Sequence, residues 1–123
     1  MSGSQFSIRS NFWLMVGDKS LAGRGRIELL ERIAETGSIR QAAMAMRMSY
    51  RAAWDAVDAM NQRAAAPVVS RATGGRGGGG AVLTEAGVRL VNLFRSVEAE
   101  HARSVEQINE RLAGLYDQVC GSA

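Results

Sequence analysis

An arginine surrounded by glycines is the feature of this sequence whose chemistry is easiest to state. From Arg71 onward the chain reads RATGGRGGGGAVLT, so that six glycines surround Arg76. Glycine accepts positive φ and lets the backbone approach another surface closely. A guanidinium suits phosphate oxygens and guanine edges. The short apolar runs Val68-Val69 and Ala81-Val82-Leu83 indicate a strand on each side. The pattern predicts a β-ribbon, here called the wing, over 68–83 that brings cations to an anionic groove.

A nucleotide-binding loop is an alternative interpretation of the same glycines. Gly75, Gly77 and Gly80 satisfy the G-x-G-x-x-G spacing of a dinucleotide loop, but almost any glycine pattern would fit here. Such a loop leads into a helix, whereas Ala81-Val82-Leu83 indicates a strand, and no Lys-Ser or Lys-Thr pair follows as in a Walker-type loop. An enzyme that holds a nucleotide on this loop stays open as a rival, and a low-complexity linker is the remaining alternative.

Other catalytic and metal chemistry has little support. His101 lies near no Ser or Cys nucleophile in the pattern, and one His with one Cys cannot build a zinc site of the usual spacing. Cys120 has no second cysteine for an internal disulfide, which agrees with a reducing compartment. We therefore expect no enzymatic activity, no metal and no cofactor.

Two short helices that precede the glycines would position further polar side chains. Ser38 is a good N-cap for a helix that runs to Met46, directly after Gly37 ends an earlier helix. After a short turn at Arg47-Met48, Ser49 caps the next helix, over 49–62. Two tightly joined helices are typical of a helix-turn-helix, in which the second is the recognition helix.

A helix-turn-helix with a basic wing predicts contacts to DNA. The first residues of a recognition helix meet base edges in the major groove. The predicted base-reading residues are Ser49, Tyr50 and Arg51. The predicted phosphate or wing contacts are Ser38, Arg40, Gln41, Arg47, Arg71 and Arg76. An ordinary solvated residue is the alternative for each of them, and Trp54 is expected to be a core anchor.

The two ends of the chain predict strands and a dimer seam. Phe6 and Ile8, then Phe12, Leu14 and Val16, alternate at period two, which indicates one or two strand segments near 6–16. Residues 17–20 resemble a turn and 23–25 a loop. Thr84 begins a last helix, whose apolar residues recur at steps of three and four and indicate a coiled-coil-like seam with a second copy. A helix that folds back or frays is the alternative. The predicted dimerisation residues are Leu90, Phe94, Val97, His101, Val105, Ile108 and Leu112.

Composition sets the broad class of the protein. A chain of 123 residues with 46% hydrophobic residues suits one globular domain. No run approaches the roughly 18 apolar residues of a membrane span, and no secretory signal is evident, so we expect the cytoplasm and no membrane. The net charge is +3, and residues 38–84 carry six arginines against two aspartates. The positive charge is therefore concentrated in the segment that carries the motifs.

Four stretches resemble the N-terminal domain of ModE-type, molybdate-responsive transcriptional regulators. The Ser-Tyr-Arg-x-x-Trp-Asp stretch followed by the glycine wing is specific, whereas Leu83-Thr84-x-x-Gly87 is also shared with LysR-type winged helices. The matching stretches are GRIELLERIAETG (25–37), SIRQAAMAM (38–46), SYRAAWDAVDAMN (49–61) and RATGGRGGGGAVLTEAG (71–87). The resemblance implies a winged helix that dimerises through its long helices and binds a palindromic operator. Family members continue into molybdate-binding domains, whereas this sequence ends at Ala123, so molybdate binding is not expected in this chain.

We therefore predict a mainly α fold with a small β component. A winged helix-turn-helix occupies 1–83, and a long C-terminal dimerisation helix occupies 84–123 within the same structural unit. The predicted function is sequence-specific binding of double-stranded DNA in transcriptional control, by a homodimer. The alternative is a protein-interaction module that forms mixed dimers with a full-length regulator, or modulates it, without binding DNA.

Overall fold

The computed structural model describes residues 4–72 and 80–121, and within these it contains four short strands and five helices. Two compact units are present: Phe12–Phe94 forms one, and Met1–Asn11 with Arg95–Ala123 forms the other. In chain order the elements are β1 Leu14–Val16, β2 Lys19–Ala22, α1 Arg24–Thr36, α2 Ile39–Ala45, α3 Tyr50–Arg63, β3 Val69–Ala72, β4 Gly80–Leu83, α4 Glu85–Leu112 and α5 Leu115–Cys120. This is the mainly α fold with a small β component that the sequence predicts.

The N-terminal hairpin is shorter and later than predicted. Strands β1 and β2 pair antiparallel, with Leu14 opposite Ala22 and Val16 opposite Lys19. Gly17 takes the left-handed conformation, with φ 59°, that closes the turn. The predicted strand near 6–16 was therefore wrong before Leu14, and the predicted turn over 17–20 overlaps the start of β2.

The helical boundaries follow from caps that the sequence displays. Gly37, with φ 71°, ends α1, and its N–H donates to Ile33 O at 2.8 Å. Ser38 Oγ accepts from Gln41 N at 3.1 Å and begins α2. Ser49 Oγ accepts from Ala52 N at 3.0 Å and begins α3. All three predicted cap positions are confirmed, although α1 begins at Arg24, inside the predicted loop over 23–25.

The two predicted wing strands are confirmed as an antiparallel pair. Val69 lies opposite Leu83, and Ala72 lies opposite Gly80. The N–H of Ala81 donates to Gly37 O at 2.9 Å, which ties β4 to the end of α1. Residues 73–79, and with them Arg76 and most of the glycines, lie outside the described residues.

The core of the 12–94 unit is apolar and draws on every helix of that unit. Phe94, from α4, is its largest fully buried side chain, and its ring stacks on Phe12 with centroids 4.8 Å apart. The other buried core residues are Ala22, Ile27, Leu29, Leu30, Ile33, Ile39, Ala42, Ala43, Ala53, Val57, Met60, Val68, Val69, Ala81 and Leu90. Burial of these side chains fixes the helix pair and the wing on one scaffold.

The second unit consists of the N-terminal segment and the rest of the C-terminal helices. Ile8 N donates to Asn109 Oδ1 at 2.7 Å, and Ser10 Oγ lies 2.7 Å from His101 Nε2. Phe6 meets the edge of Tyr116, with ring centroids 5.3 Å apart. An extended chain alternates its side chains whether or not it has a strand partner, so the period of two near Phe6 and Ile8 reflects packing on a helix.

The predicted long helix is interrupted near its end. Helix α4 runs for 28 residues to Leu112, and Gly114, with φ 82°, starts the short α5. A left-handed glycine breaks the helical hydrogen-bond ladder. A continuous helix over 84–123 was therefore wrong beyond Leu112.

Candidate nucleic-acid interface

The first turn of α3 presents the three predicted base-reading residues at the protein surface. Arg51 is 89% exposed, with its Nε 3.7 Å from Asp55 Oδ1 one turn later. Tyr50 is 39% exposed. Ser49 uses its Oγ as the acceptor of the helix cap, and its hydroxyl hydrogen stays available as a donor. The N-terminal end of α3 therefore combines the guanidinium donors of Arg51, the phenol of Tyr50 and the hydroxyl of Ser49.

The Tyr50 ring contacts one side chain from each helix of the motif. The guanidinium carbon of Arg40, from the first turn of α2, lies 4.2 Å from the centroid of the Tyr50 ring. The ring also meets Trp54 edge to face, with centroids 6.3 Å apart and an interplanar angle of 88°. Trp54 itself packs against the core, as the sequence predicts. Sequence reasoning missed this stack, since only the proximity of α2 and α3 brings Arg40 to Tyr50.

A groove of about 660 Å³ separates the helix pair from the wing. Its apolar lining includes Ile39, Val57 and Val69, and Arg40 and Arg71 contribute the cations. The other lining residues are Ser38, Gln41, Tyr50, Trp54, Asn61, Ser70, Gly80 and Ala81. The structure therefore brings together four of the six predicted phosphate contacts, namely Ser38, Arg40, Gln41 and Arg71, at one groove.

Arg47 lies in the turn between α2 and α3 and is exposed. Its φ is 56°, a left-handed conformation that only Arg47 adopts among the described non-glycine residues. Its N–H donates to Met44 O at 3.1 Å, and Met48 N donates to Ala43 O at 3.0 Å. A left-handed arginine costs conformational energy that a glycine would avoid. The turn therefore retains a cation at a conformational cost.

Two polar side chains, Asn61 and Thr84, anchor the wing beside the groove. Asn61 Oδ1 accepts from Val68 N at 2.8 Å and from Val69 N at 3.2 Å, and its Nδ2 donates to Val69 O at 3.2 Å. The Thr84 hydroxyl donates to Pro67 O at 2.6 Å and accepts from Gly87 N at 3.0 Å. Sequence reasoning did not identify Asn61, whose only signal was an amide side chain shortly before Pro67.

The packing around Gly87 gives a physical reason for the glycine in the Leu83-Thr84-x-x-Gly87 stretch. A Cβ at this position would lie 2.1 Å from Val68 O and 3.4 Å from Leu83 Cβ. No side chain fits in that space, so α4 packs on the start of the wing through bare backbone.

Two basic residues of the 12–94 unit serve the fold instead of a ligand. Arg63 donates to Ser20 O at 2.6 Å, and Arg26 donates to Leu21 O at 3.1 Å. Burial lowers the pKa of Arg26, and the neighbouring cation of Arg63 lowers it further. Both guanidinium groups therefore fasten β2 to the helices.

The predicted dimerisation residues divide between the two units. Leu90 and Phe94 are buried in the core of their own unit. In the other unit, Ile108 is 40% exposed, Val97, Val105 and Leu112 are half-buried, and His101 contacts Ser10. The apolar residues at helical spacing predict one dimer seam. Two of them, Leu90 and Phe94, are instead buried within this chain.

The helix pair and wing coincide with the segment that a family model matches. The model describes bacterial regulatory helix-turn-helix proteins of the LysR family and matches residues 25–88. This chain belongs to that family. The winged helix-turn-helix predicted from the sequence is thereby confirmed for this LysR-type chain.

Individual relatives support the same assignment. The molybdenum transport protein ModE of Azotobacter vinelandii is 48% identical over 112 residues, which are 91% of this chain and 41% of that protein. The DNA-binding transcriptional dual regulator ModE of Escherichia coli K12 is 51% identical over 81 residues, 66% of this chain and 31% of that protein. The predicted ModE resemblance is confirmed, and the LysR-type chain spans less than half the length of these relatives.

A solved structure has a similar fold. The full-length LysR-type regulator LysG of Corynebacterium glutamicum superposes with a TM-score of 0.53 at 30% identity, over 72% of this chain and 29% of LysG.

Within residues 4–72 and 80–121, no cluster of three or more His, Cys, Asp or Glu side chains could hold a metal ion. None of the helices in those ranges has the length and apolar character to cross a bilayer.

Proposed function

We propose that this chain binds double-stranded DNA sequence-specifically and acts in transcriptional control, in the cytoplasm and without catalytic activity. The observation that carries the proposal is the exposed first turn of α3 beside the groove. Arg51 and Tyr50 stand there with Arg40 and Arg71. A guanidinium fork can pair with guanine O6 and N7, and cations around it can contact the flanking phosphates.

The two kinds of contact have different roles in the proposal. Ser49, Tyr50 and Arg51 read base edges from the major groove. Ser38, Arg40, Gln41 and Arg47 contact phosphates from the helix pair. From the wing, Arg71 contacts a phosphate, and Arg76 contacts a phosphate or the minor groove. Phosphate contacts set position and affinity, whereas base contacts set sequence preference.

A homodimer is part of the proposal. Its seam would use the residues of the long helix that the 12–94 core leaves accessible, Val97, Val105, Ile108 and Leu112, while Leu90 and Phe94 support the helix from within. Two copies would place their recognition helices about 34 Å apart, one turn of DNA, or a multiple of that distance. Ultracentrifugation of the chain beside a variant cut at Glu98 tests this seam, and a truncated chain that still dimerises would refute it.

Selection of duplexes from a random pool, followed by fluorescence anisotropy across a salt series, tests DNA binding directly. We expect an inverted-repeat site, and an affinity that falls steeply with salt in proportion to the phosphates neutralised. Arg51→Ala should relax the preference at particular bases, whereas Arg71→Ala should weaken all duplexes alike. No enrichment of any duplex, or a flat salt response, would contradict the proposal.

A protein-interaction module is the second candidate function. Leu93 is 54% exposed on α4, and apolar side chains of this size suit a partner protein as well as a second copy. A pure interaction module would be indifferent to Arg51→Ala, so the same anisotropy series separates the two candidates.

A further inference from the structure

We propose that Arg40 is a positioning residue that couples phosphate binding to base reading by Tyr50. The inference rests on the proposed DNA-binding function and extends it. The amino-acid sequence predicts Arg40 only as a phosphate contact. The inference gives Arg40 a second role, in the preference for particular bases.

The geometry joins the first turns of α2 and α3 into one unit. The Arg40 guanidinium covers one face of the Tyr50 ring at 4.2 Å, and Trp54 meets the ring at 6.3 Å. Because Trp54 packs against the core, the ring has a fixed support on that side. The direction of the Tyr50 phenol therefore depends on where the Arg40 guanidinium lies.

A guanidinium can stack and bind a phosphate at the same time. When its planar face lies on an aromatic ring, its five N–H donors, which lie in its own plane, stay available to a phosphate. Arg40 is exposed and lines the groove, so its donors are open to a phosphate of the same duplex. A phosphate that holds Arg40 also fixes the ring below it, and the base contact of Tyr50 then becomes more selective.

Arg71 provides the matched control. It lines the same groove from β3 and is exposed, but it stands outside the Arg40–Tyr50–Trp54 stack. A cation that serves only as a phosphate contact should weaken every duplex alike. Any effect on base preference that Arg40→Ala shows and Arg71→Ala lacks is therefore due to the stack.

The test measures affinities for the duplex that the unaltered chain selects from a random pool and for every single-base change of it. Arg40→Ala should reduce the preference by about two- to fivefold, at the same positions as Tyr50→Ala, in line with an exposed cation–π contact. Arg40→Lys keeps the charge without the planar stack, so it should keep the salt slope and still lose that preference. The double variant Arg40→Ala/Tyr50→Ala should lose no more preference than Tyr50→Ala alone, because coupled residues are not additive.

Two results would overturn the inference while the proposed function stands. One is an Arg40→Ala profile parallel to that of Arg71→Ala, and the other is additive loss of preference in the double variant. Failure of the unaltered chain to bind any selected duplex would instead refute the function itself. Circular dichroism of each variant checks its fold, and Arg40→Lys carries the test if Arg40→Ala unfolds.

Discussion

Replacing Gly87 with alanine should destabilise the 12–94 unit, although alanine is the better helix former. The new Cβ would lie 2.1 Å from Val68 O, a backbone atom that cannot rotate away. The Val68 carbonyl accepts from Thr84 N at 3.0 Å, and the Val68 N–H is held by Asn61. Relief of the clash needs a shift of about 1 Å between α4 and this segment, because non-bonded atoms prefer separations above 3 Å.

The magnitude follows from three terms. Overpacking a filled site costs about 1–3 kcal/mol, and loss of the Thr84–Val68 hydrogen bond adds about 1 kcal/mol. Alanine in place of glycine in a helix recovers about 1 kcal/mol. The expected net loss is therefore about 1–3 kcal/mol of unfolding free energy, close to a 1 M decrease in the urea midpoint at a typical slope.

Urea denaturation followed by circular dichroism measures this loss. Gly25→Ala is the matched control, because Gly25 also lies in a helix and a Cβ there would have no heavy atom within 4 Å. That control should be neutral or more stable by up to about 1 kcal/mol. If Gly87→Ala were as stable as the unaltered chain or as the control, the close packing of α4 on the wing would be refuted.

Three further substitutions test the anchors and caps of the same unit. Asn61→Ala should lower the free energy of unfolding by about 1–3 kcal/mol, because the buried N–H of Val68 loses its acceptor. Urea denaturation of this variant beside Gln62→Ala measures the difference. If both variants lost the same stability, the anchoring role of Asn61 would be refuted. Arg47→Gly should be neutral or up to about 1 kcal/mol more stable, because glycine tolerates the left-handed turn, and its DNA affinity should still fall; a clear drop in melting temperature would contradict this reasoning. Ser49→Ala should cost about 1 kcal/mol through loss of the α3 cap, measured by thermal denaturation, and unchanged stability would show that the cap contributes nothing.

Local signals in the sequence predict most of the helical architecture. Ser38, Ser49 and Thr84 act as caps through contacts with amides three residues away, and Gly37 ends α1 through its own left-handed backbone. Such signals need only a few neighbouring residues, so a sequence displays them directly. The same holds for the wing strands, which flank a glycine-rich stretch.

Predictions that depended on distant partners were less successful. Residues 6–13 alternate like a strand, yet they contribute no strand to the structure. Likewise Leu90 and Phe94 share the helical period of the predicted seam, yet they fill the core of their own unit. Periodicity reports that a face is buried and does not report what covers it.

The candidate site likewise has features that local sequence predicts and features that only packing creates. Ser49, Tyr50 and Arg51 are recognisable from a cap, a short turn and an apolar face, all of which are local. The Arg40–Tyr50 stack, the Asn61 anchor and the need for glycine at position 87 depend on residues that only packing brings together.

The sequence by itself thus determined the succession of helix pair, wing strands and long helix, and it displays the stretches that resemble a known family, because caps, periodicity and charge lie within single segments. Only the tertiary structure decided that Arg40 lies on the Tyr50 ring and that Leu90 and Phe94, two of the predicted seam residues, are buried in their own unit. Those choices depend on distances between segments, and a side chain a few ångströms from a ring or a carbonyl acts on it whatever the separation along the chain.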